Sequence, residues 1–234
     1  MFISIIIPAY NEAQNIGRLT SYLQQNSDAG GVEIIVSDGG SQDQTIAVAR
    51  FAGATVVSSP AQGRAEQMNY GASLSSGEVL YFVHADCFPP KSFVADIEQA
   101  TRQGYDLGRY RTKFDSAKTI FRFNAWFTRF DLFISMGGDQ TLFVRRSLFK
   151  ETGGFNNEMK IMEEYEFCER ARAKGRYTIM NGAALISARK YETNSWWRVQ
   201  SANAVIICMY KRGASQQKMV DRYKQLLRYR KNAF

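Results

Sequence analysis

Cysteine is scarce in this chain, and paired cysteine motifs are missing. Cys87, Cys168 and Cys208 make no CxxC spacing and leave an odd one out, which argues against a disulfide framework and for a reducing compartment, the cytoplasm by default. Long apolar runs are missing as well. The stretch AVIICMY is seven residues, with Arg198 just upstream, whereas a bilayer-spanning helix needs about 20. The N-terminus, MFISIIIPAYNEAQ, carries no basic leader. Asn11 and Glu12 stand where a secretory signal would place its small-residue cleavage site, so the run reads as a first strand. There is no repeat, no low-complexity tract and no long linker, hence no clean domain cut.

What is present suffices for a sizeable core. With 234 residues and 45% hydrophobic content, the chain can form one large domain or two halves sharing a sheet. Its net charge of +8 comes from 30 basic and 22 acidic residues and is unevenly spread. Between Lys211 and Lys231 there are eight Lys or Arg against the single Asp221. Such a segment is either a solvated helix face or one attracted to phosphate groups, on a membrane surface ahead of nucleic acid.

Strands and helices alternate through the first half. FISIII, VEIIVS, ATVVSS and EVLYFV read as buried strands, separated by the helical patterns EAQNIGRLTSYLQQN, QDQTIAVARFA and GRAEQMNYGASLSS. This alternation predicts a mostly parallel sheet with helices on both faces. Beyond Pro90 the reading is a helix (SFVADIEQATRQG), a strand (DLGRYRTKF) and an aromatic-rich helix (KTIFRFNAWFTRFDLFIS). TLFVRRSLFKETGGF follows as strand, short helix and Gly-Gly turn. KIMEEYEFCERARAKG is a further helix, RYTIM and ALISARKY are two strands, and the last forty residues are helical and amphipathic.

Each early strand ends in polar residues. PAYNE puts Pro8 where a central ladder must stop, Tyr10 where a ring can stack on a planar group, and Glu12 at a helix N-terminus. SDGGSQD offers Asp38 as acceptor for a base N–H or ribose hydroxyl, Gly39 and Gly40 for close backbone approach, and Ser41 or Asp43 as helix cap. The fourth strand ends in His84, Ala85 and Asp86. Carboxyl ends of strands are where open α/β sheets bind ligands, so two possible metal ligands there suggest a site for a polyanion. Each motif alone is also an ordinary way to leave a strand.

Taken in order, PAYNE, DGGSQD, a Gly-Arg helix, HAD and a Gly-Gly-Phe followed by an acidic pair resemble family 2 of the glycosyltransferases, from Ile3 to about Tyr191. More narrowly, GRAEQMN, HAD, GGDQTLFVRR and SARKY are similar to a compact bacterial subgroup associated with arsenosugar biosynthesis clusters. The resemblance implies an α/β GT-A nucleotide-diphospho-sugar transferase fold with C-terminal helices. It implies one domain over 1–234, with a nucleotide-binding half at about 1–115, an acceptor half at about 116–191 and C-terminal helices at about 195–234. It also implies an inverting transferase that takes a nucleotide-sugar donor, preferably a UDP-sugar. The acceptor would be a sugar, a lipid-linked molecule or a small molecule, with an anionic membrane surface as a further partner and no nucleic acid. The glycine-rich, lysine-bearing loop of nucleotidyltransferases is missing. A silent binding protein on the same scaffold is the rival reading.

The same resemblance distributes roles. Pro8, Ala9, Tyr10 and Glu12 match the nucleotide-side loop and Asp38 the base-binding Asp, while Gly39 stands where many members have a second Asp. Arg64 would face the phosphates or the base. Asp86 matches the second acid of a DxD motif holding Mn2+ or Mg2+ on the diphosphate. His84 replaces the first acid and either ligates the metal, favouring manganese, or donates a hydrogen bond from outside its ligand shell. Arg189 and Lys190 could supplement the weakened metal site. Glu164 falls on the position of the catalytic base, with Glu163 beside it; Glu in place of Asp adds a methylene of reach. Asp139 and Gln140, after Gly137 and Gly138, would contact the sugar or acceptor.

Overall fold

The computed structural model describes residues 1–27, 31–133 and 140–228. Eight strands form one sheet in the order β3-β2-β1-β4-β7-β6-β8-β5. The first half follows the alternation in the sequence: β1 (Ile3–Ala9), α1 (Ile16–Gln25), β2 (Val32–Asp38), α2 (Thr45–Phe51), β3 (Thr55–Ser58), α3 (Arg64–Leu74) and β4 (Val79–Phe82). These four strands pair in parallel. β2 and β3 build outward from one side of β1 and β4 takes the other, so the chain reverses its direction of growth between β1 and β4. At such a switch point the helices diverge and leave a crevice beyond the strand ends.

Both faces of β1, β2 and β4 are covered, which explains their apolar runs, while the edge strand β3 stays partly exposed. Side chains alternate across the sheet. Ile5, Ile7, Val36 and Tyr81 join α1 and α4 (Phe93–Arg102) in one core, and Ile6, Leu80 and Phe82 join α3 and α7 (Glu163–Arg172) in the other.

The second half departs from simple alternation. The two-residue β5 (Cys87–Phe88), β6 (Leu107–Phe114) and β7 (Leu142–Arg145) are followed by α6 (Arg146–Glu151). β7 runs antiparallel to both β4 and β6. RYTIM and ALISARKY, expected as two strands, are one strand, β8 (Tyr177–Ile186), followed by a single helical turn, α8 (Lys190–Thr193). The interruption is a bulge: Tyr110 pairs with Met180 and Arg111 with Ala183, leaving Asn181 and Gly182 extra. A Cβ at Gly182 would lie 2.7 Å from Pro90 Cγ and 2.9 Å from Tyr110 Cε1, so the bulge needs glycine.

The aromatic helix is also shorter than expected. α5 covers Thr119–Phe127, and the end of the expected segment, Ile134 and Ser135, lies outside the described residues. The C-terminal helices α9 (Trp196–Lys211) and α10 (Gln216–Leu226) both dock on the body. Ile206 and Met219 enter the second core, Val199 and Leu227 pack together, and Arg198 Nε donates to the Leu226 carbonyl at 2.6 Å. Lys218, Arg222 and Lys224 of α10 remain exposed. Among the described residues no helix is long and apolar enough to cross a membrane.

Candidate active site

The site forms where β1, β2 and β4 end. Ala9 and Asp38 are register partners at the last rung of β1 and β2. A buried amide holds them together: Gln67 of α3 donates from Nε2 to the Ala9 carbonyl at 2.7 Å and to the Ser37 carbonyl at 2.8 Å. The Ala9 carbonyl also accepts from Gly39 N at 2.9 Å, so the Gln67 amide adds a second donor where the ladder stops.

The loops beyond are zipped to each other. Asn11, at a φ of 52°, donates its backbone N–H to Ser41 Oγ at 2.9 Å and accepts from Gln42 N at 2.9 Å. Glu12 N donates to Thr45 Oγ1 at 2.8 Å. Asp38 is buried, and its own loop occupies its carboxylate. Oδ2 accepts from Gly40 N and Ser41 N, both at 2.9 Å, and Oδ1 from Ser41 Oγ at 2.5 Å. Tyr10 is half-buried at the loop's start, following Pro8 and Ala9 at the end of β1.

Four carboxylates converge here, each with a cationic or ionisable partner. Arg189, between β8 and α8, grips Glu12 with both terminal nitrogens, at 3.0 and 2.6 Å, and sets Nε 3.1 Å from Asp86 Oδ2. It ties the loop after β1 to the loop after β4. Lys190 follows as the first residue of α8. Arg64, the first residue of α3, lies 3.6 Å from the buried Glu163. His84 Nε2 is 2.5 Å from Glu164 Oε1, both side chains buried.

The two glutamates owe their direction to the start of α7. Met162 adopts a left-handed φ of 68° and turns the chain into a first helical turn holding Glu163, Glu164 and Glu166. Acids are favoured there by the helix dipole. Glu166 points away and binds Arg170 at 2.5 and 2.7 Å, whose guanidinium also donates to the Gly154 carbonyl at 2.8 Å and so fixes the Gly-Gly-Phe turn. Burial pushes the Glu164 carboxyl above its ordinary range, and the imidazole of His84 offsets part of the rise. Beneath Glu164 is a cavity of about 20 Å³ lined by Gln140, Thr141, Cys168 and Tyr177 among others, roomy enough for one water. Asp139, Gly137 and Gly138 lie outside the described residues.

The role of α3 was not foreseen. Arg64 meets Glu163, Gln67 clamps the strand ends, and Asn69 brackets Phe155, donating to its carbonyl at 2.7 Å and accepting from its N–H at 2.9 Å. The helix thus ties the ends of β1 and β2 to the turn that leads into α7. The available signal was the run Gln67-Met68-Asn69 with buried neighbours Ala65 and Ala72: an amide on an otherwise apolar face needs backbone partners.

The chain is similar to known proteins. A model of "Glycosyl transferase family 2" matches residues 4–151. Glycosyltransferase AglE of Haloferax volcanii is 29% identical over 195 residues, which are 74% of this chain and 62% of that protein; the chain therefore spans about three fifths of that relative. S. aureus TarS 1–349, solved with UDP-GlcNAc, superposes with a TM-score of 0.68 at 16% identity, covering 97% of this chain and 71% of that one. Glucosyl-3-phosphoglycerate synthase from Mycobacterium tuberculosis, solved with Mn2+, UDP and glucosyl-3-phosphoglycerate, gives 0.63 at 19% identity, covering 91% and 80%. At that identity the structures establish the fold, the curled α/β sheet of GT-A transferases, and the match over more than half of its length makes this chain a member of glycosyltransferase family 2.

Proposed function

We propose that the protein is an inverting transferase moving a sugar from a nucleotide-sugar, preferably UDP-linked, to a hydroxyl acceptor, in one domain. The observation carrying this reading is Glu164: a carboxylate buried at the start of α7, raised in proton affinity, and bound to His84 just past β4. Glu164 takes the proton of the acceptor hydroxyl as that oxygen attacks the anomeric carbon. The bond from the anomeric carbon to the diphosphate oxygen breaks, and its electron pair leaves with the nucleoside diphosphate. His84 orients Glu164 from the donor side. Glu163, paired with Arg64, stands beside the base. Tyr10 and Asp38 flank the nucleotide, Asp38 through the loop amides it organises.

Asp86 is the residue fit to hold a divalent cation. Among the described residues no three His, Cys, Asp or Glu converge as a metal cage, which suits a hard ion that takes most of its ligands from phosphate and water. When bound, Mn2+ or Mg2+ supplies Lewis-acid neutralisation of the leaving diphosphate. Arg189 supplies fixed positive charge at the same place. Relatives in fold solved with UDP-GlcNAc and with Mn2+ and UDP support this donor class.

Donor hydrolysis tests the reading. Purified protein incubated with UDP-sugars and Mn2+ should release UDP slowly, and Glu164→Gln should stop the release while leaving UDP binding intact. UDP binding with no release by the unaltered protein would indicate a silent nucleotide-sugar scaffold. Absence of any nucleotide-dependent thermal stabilisation would overturn the donor assignment.

A further inference from the structure

Helix α5 is apolar on two sides. Its inner side is used: Phe121 is buried against Phe114 and Tyr191, with ring centroids 4.9 and 4.7 Å away. The chain just after the helix is pinned as well, because the buried Arg109 donates to the Thr128 carbonyl at 2.9 Å. Its outer side points to solvent. Ile120, Phe123 and Trp126 follow at i, i+3 and i+6, within about a third of the helix circumference, and are 37%, 56% and 45% exposed.

The charges around this face are mostly positive. Lys118, Arg122 and Arg129 are exposed, and the Arg129 guanidinium lies over the Trp126 ring, 5.2 Å from its centroid. The two acids of the same segment are exposed as well, but each is engaged by a protein group. Asp115 Oδ1 accepts from Ala188 N at 2.6 Å, and Asp131 pairs with Arg172. The face is thus an exposed aromatic ridge bordered by three cations whose neighbouring acids are already paired within the protein. A helix with Trp and Phe on one face and Lys and Arg at its borders lies in the interface plane of a bilayer, with its apolar side in the boundary between headgroups and acyl chains.

We propose that the outer face of α5 is a docking surface for an anionic lipid bilayer. The basic C-terminal helix α10 is the alternative carrier of positive charge, but its apolar residues are consumed by docking, whereas α5 joins charge to exposed aromatic rings. Attraction to anionic lipid near the surface contributes about five-fold in binding per cation before salt screening. The surface also lies close to the crevice: Tyr191, packed on Phe121, is two residues beyond Arg189.

The test is sedimentation of the full chain with vesicles, without nucleotide, so that it is independent of the transferase reading. Vesicles of phosphatidylglycerol and phosphatidylcholine should bind the protein in 0.1 M salt and release it in 1 M salt; pure phosphatidylcholine should bind it at least tenfold more weakly. Phe123→Ser with Trp126→Ser, and separately Arg122→Glu with Arg129→Glu, should each lower binding tenfold or more with unchanged melting temperature and nucleotide binding. Lys218→Glu with Arg222→Glu and Lys224→Glu, in α10, should change it by less than threefold. Four outcomes would overturn the proposal: no anionic-vesicle binding, equal binding by the α5 variants, loss confined to the α10 variant, or a dimer in solution that Phe123→Ser with Trp126→Ser makes monomeric while vesicles stay unbound. That last result would make the face a contact between two copies of the chain.

Discussion

The two ends of the same parallel strands hold carboxylates under opposite conditions. At the floor of the sheet, Glu33 on β2 takes hydrogen bonds from Ser4 Oγ at 2.6 Å, Ser76 N at 2.6 Å, Ser76 Oγ at 2.9 Å and Gly77 N at 3.3 Å. Arg146 completes that end by donating to the carbonyls of Gly77 and Ala72. Floor charges thus meet neutral groups fixed by backbone. At the opposite end Glu12, Asp86, Glu163 and Glu164 meet Arg189, Arg64 and His84, side chains reaching in from other elements. Bonds to backbone lock a strand in place. Pairs between side chains from different elements are what a ligand's phosphates and hydroxyls would replace under the proposed function.

The comparison breaks most visibly at Glu164. Replacing it with Gln keeps an amide oxygen for His84 and removes the base, so turnover should fall about 10²- to 10⁴-fold with UDP affinity within twofold; rate and titration calorimetry read the two separately. Full turnover in the variant would move the base elsewhere. Next comes Asp86→Ala, which should abolish the extra thermal stabilisation that Mn2+ adds to UDP; an undiminished shift would place the cation on other residues. Arg189→Ala sharpens the idea of exchange. UDP affinity without divalent cation should fall about tenfold, or about 1.4 kcal/mol, and the dependence on Mn2+ should grow. Unchanged affinity would mean that the guanidinium merely neutralises Glu12 and Asp86.

The smallest effect belongs to the floor. Burial alone would raise the Glu33 carboxyl, but the bonds from Ser4, Ser76 and Gly77 outweigh it and hold the group below its ordinary 4.5. A depressed folded value means that the stabilisation is complete above the unfolded pKa and drains away as pH falls through the folded one. Glu33→Gln should therefore lower the melting temperature at pH 7 by no more than about 2–4 °C, since solvent screens this half-exposed group. The gap from the unaltered protein should shrink as pH falls below the ordinary 4.5 and close once it passes the depressed folded value. A gap independent of pH would show that shape, not charge, is what Glu33 contributes.

How much of this could be read from residues alone follows from the range of the forces. β2 was expected at 32–37 and is Val32–Asp38, because a strand buried on both faces writes itself into a local apolar run. β8 was divided in two because the bulge at Asn181–Gly182 looks locally like a turn, and only the partner Tyr110 shows that it is not. Site residues were found singly and their pairing was not. His84 and Glu164 are 80 positions apart and Glu12 and Arg189 are 177 apart, so no window of sequence contains either pair. Arg189 in particular was placed on a strand as one of two cations that could supplement the metal site; it lies past the strand's end, facing two acids.

The amide of Gln67 has a consequence for how this site can change over time. A Cβ at Gly39 would lie 2.9 Å from Gln67 Cδ and 3.0 Å from each of its amide heteroatoms, and that amide cannot retreat while it serves Ala9 and Ser37. The second acid that the family resemblance places at position 39 is therefore closed to this chain as a single step. Gln67 would have to shorten first, giving up its bonds to two buried carbonyls, so either order of substitution costs stability on the way. Glycine at 39 and glutamine at 67 are coupled by packing, and engineering a more acidic loop after β2 means exchanging both positions at once.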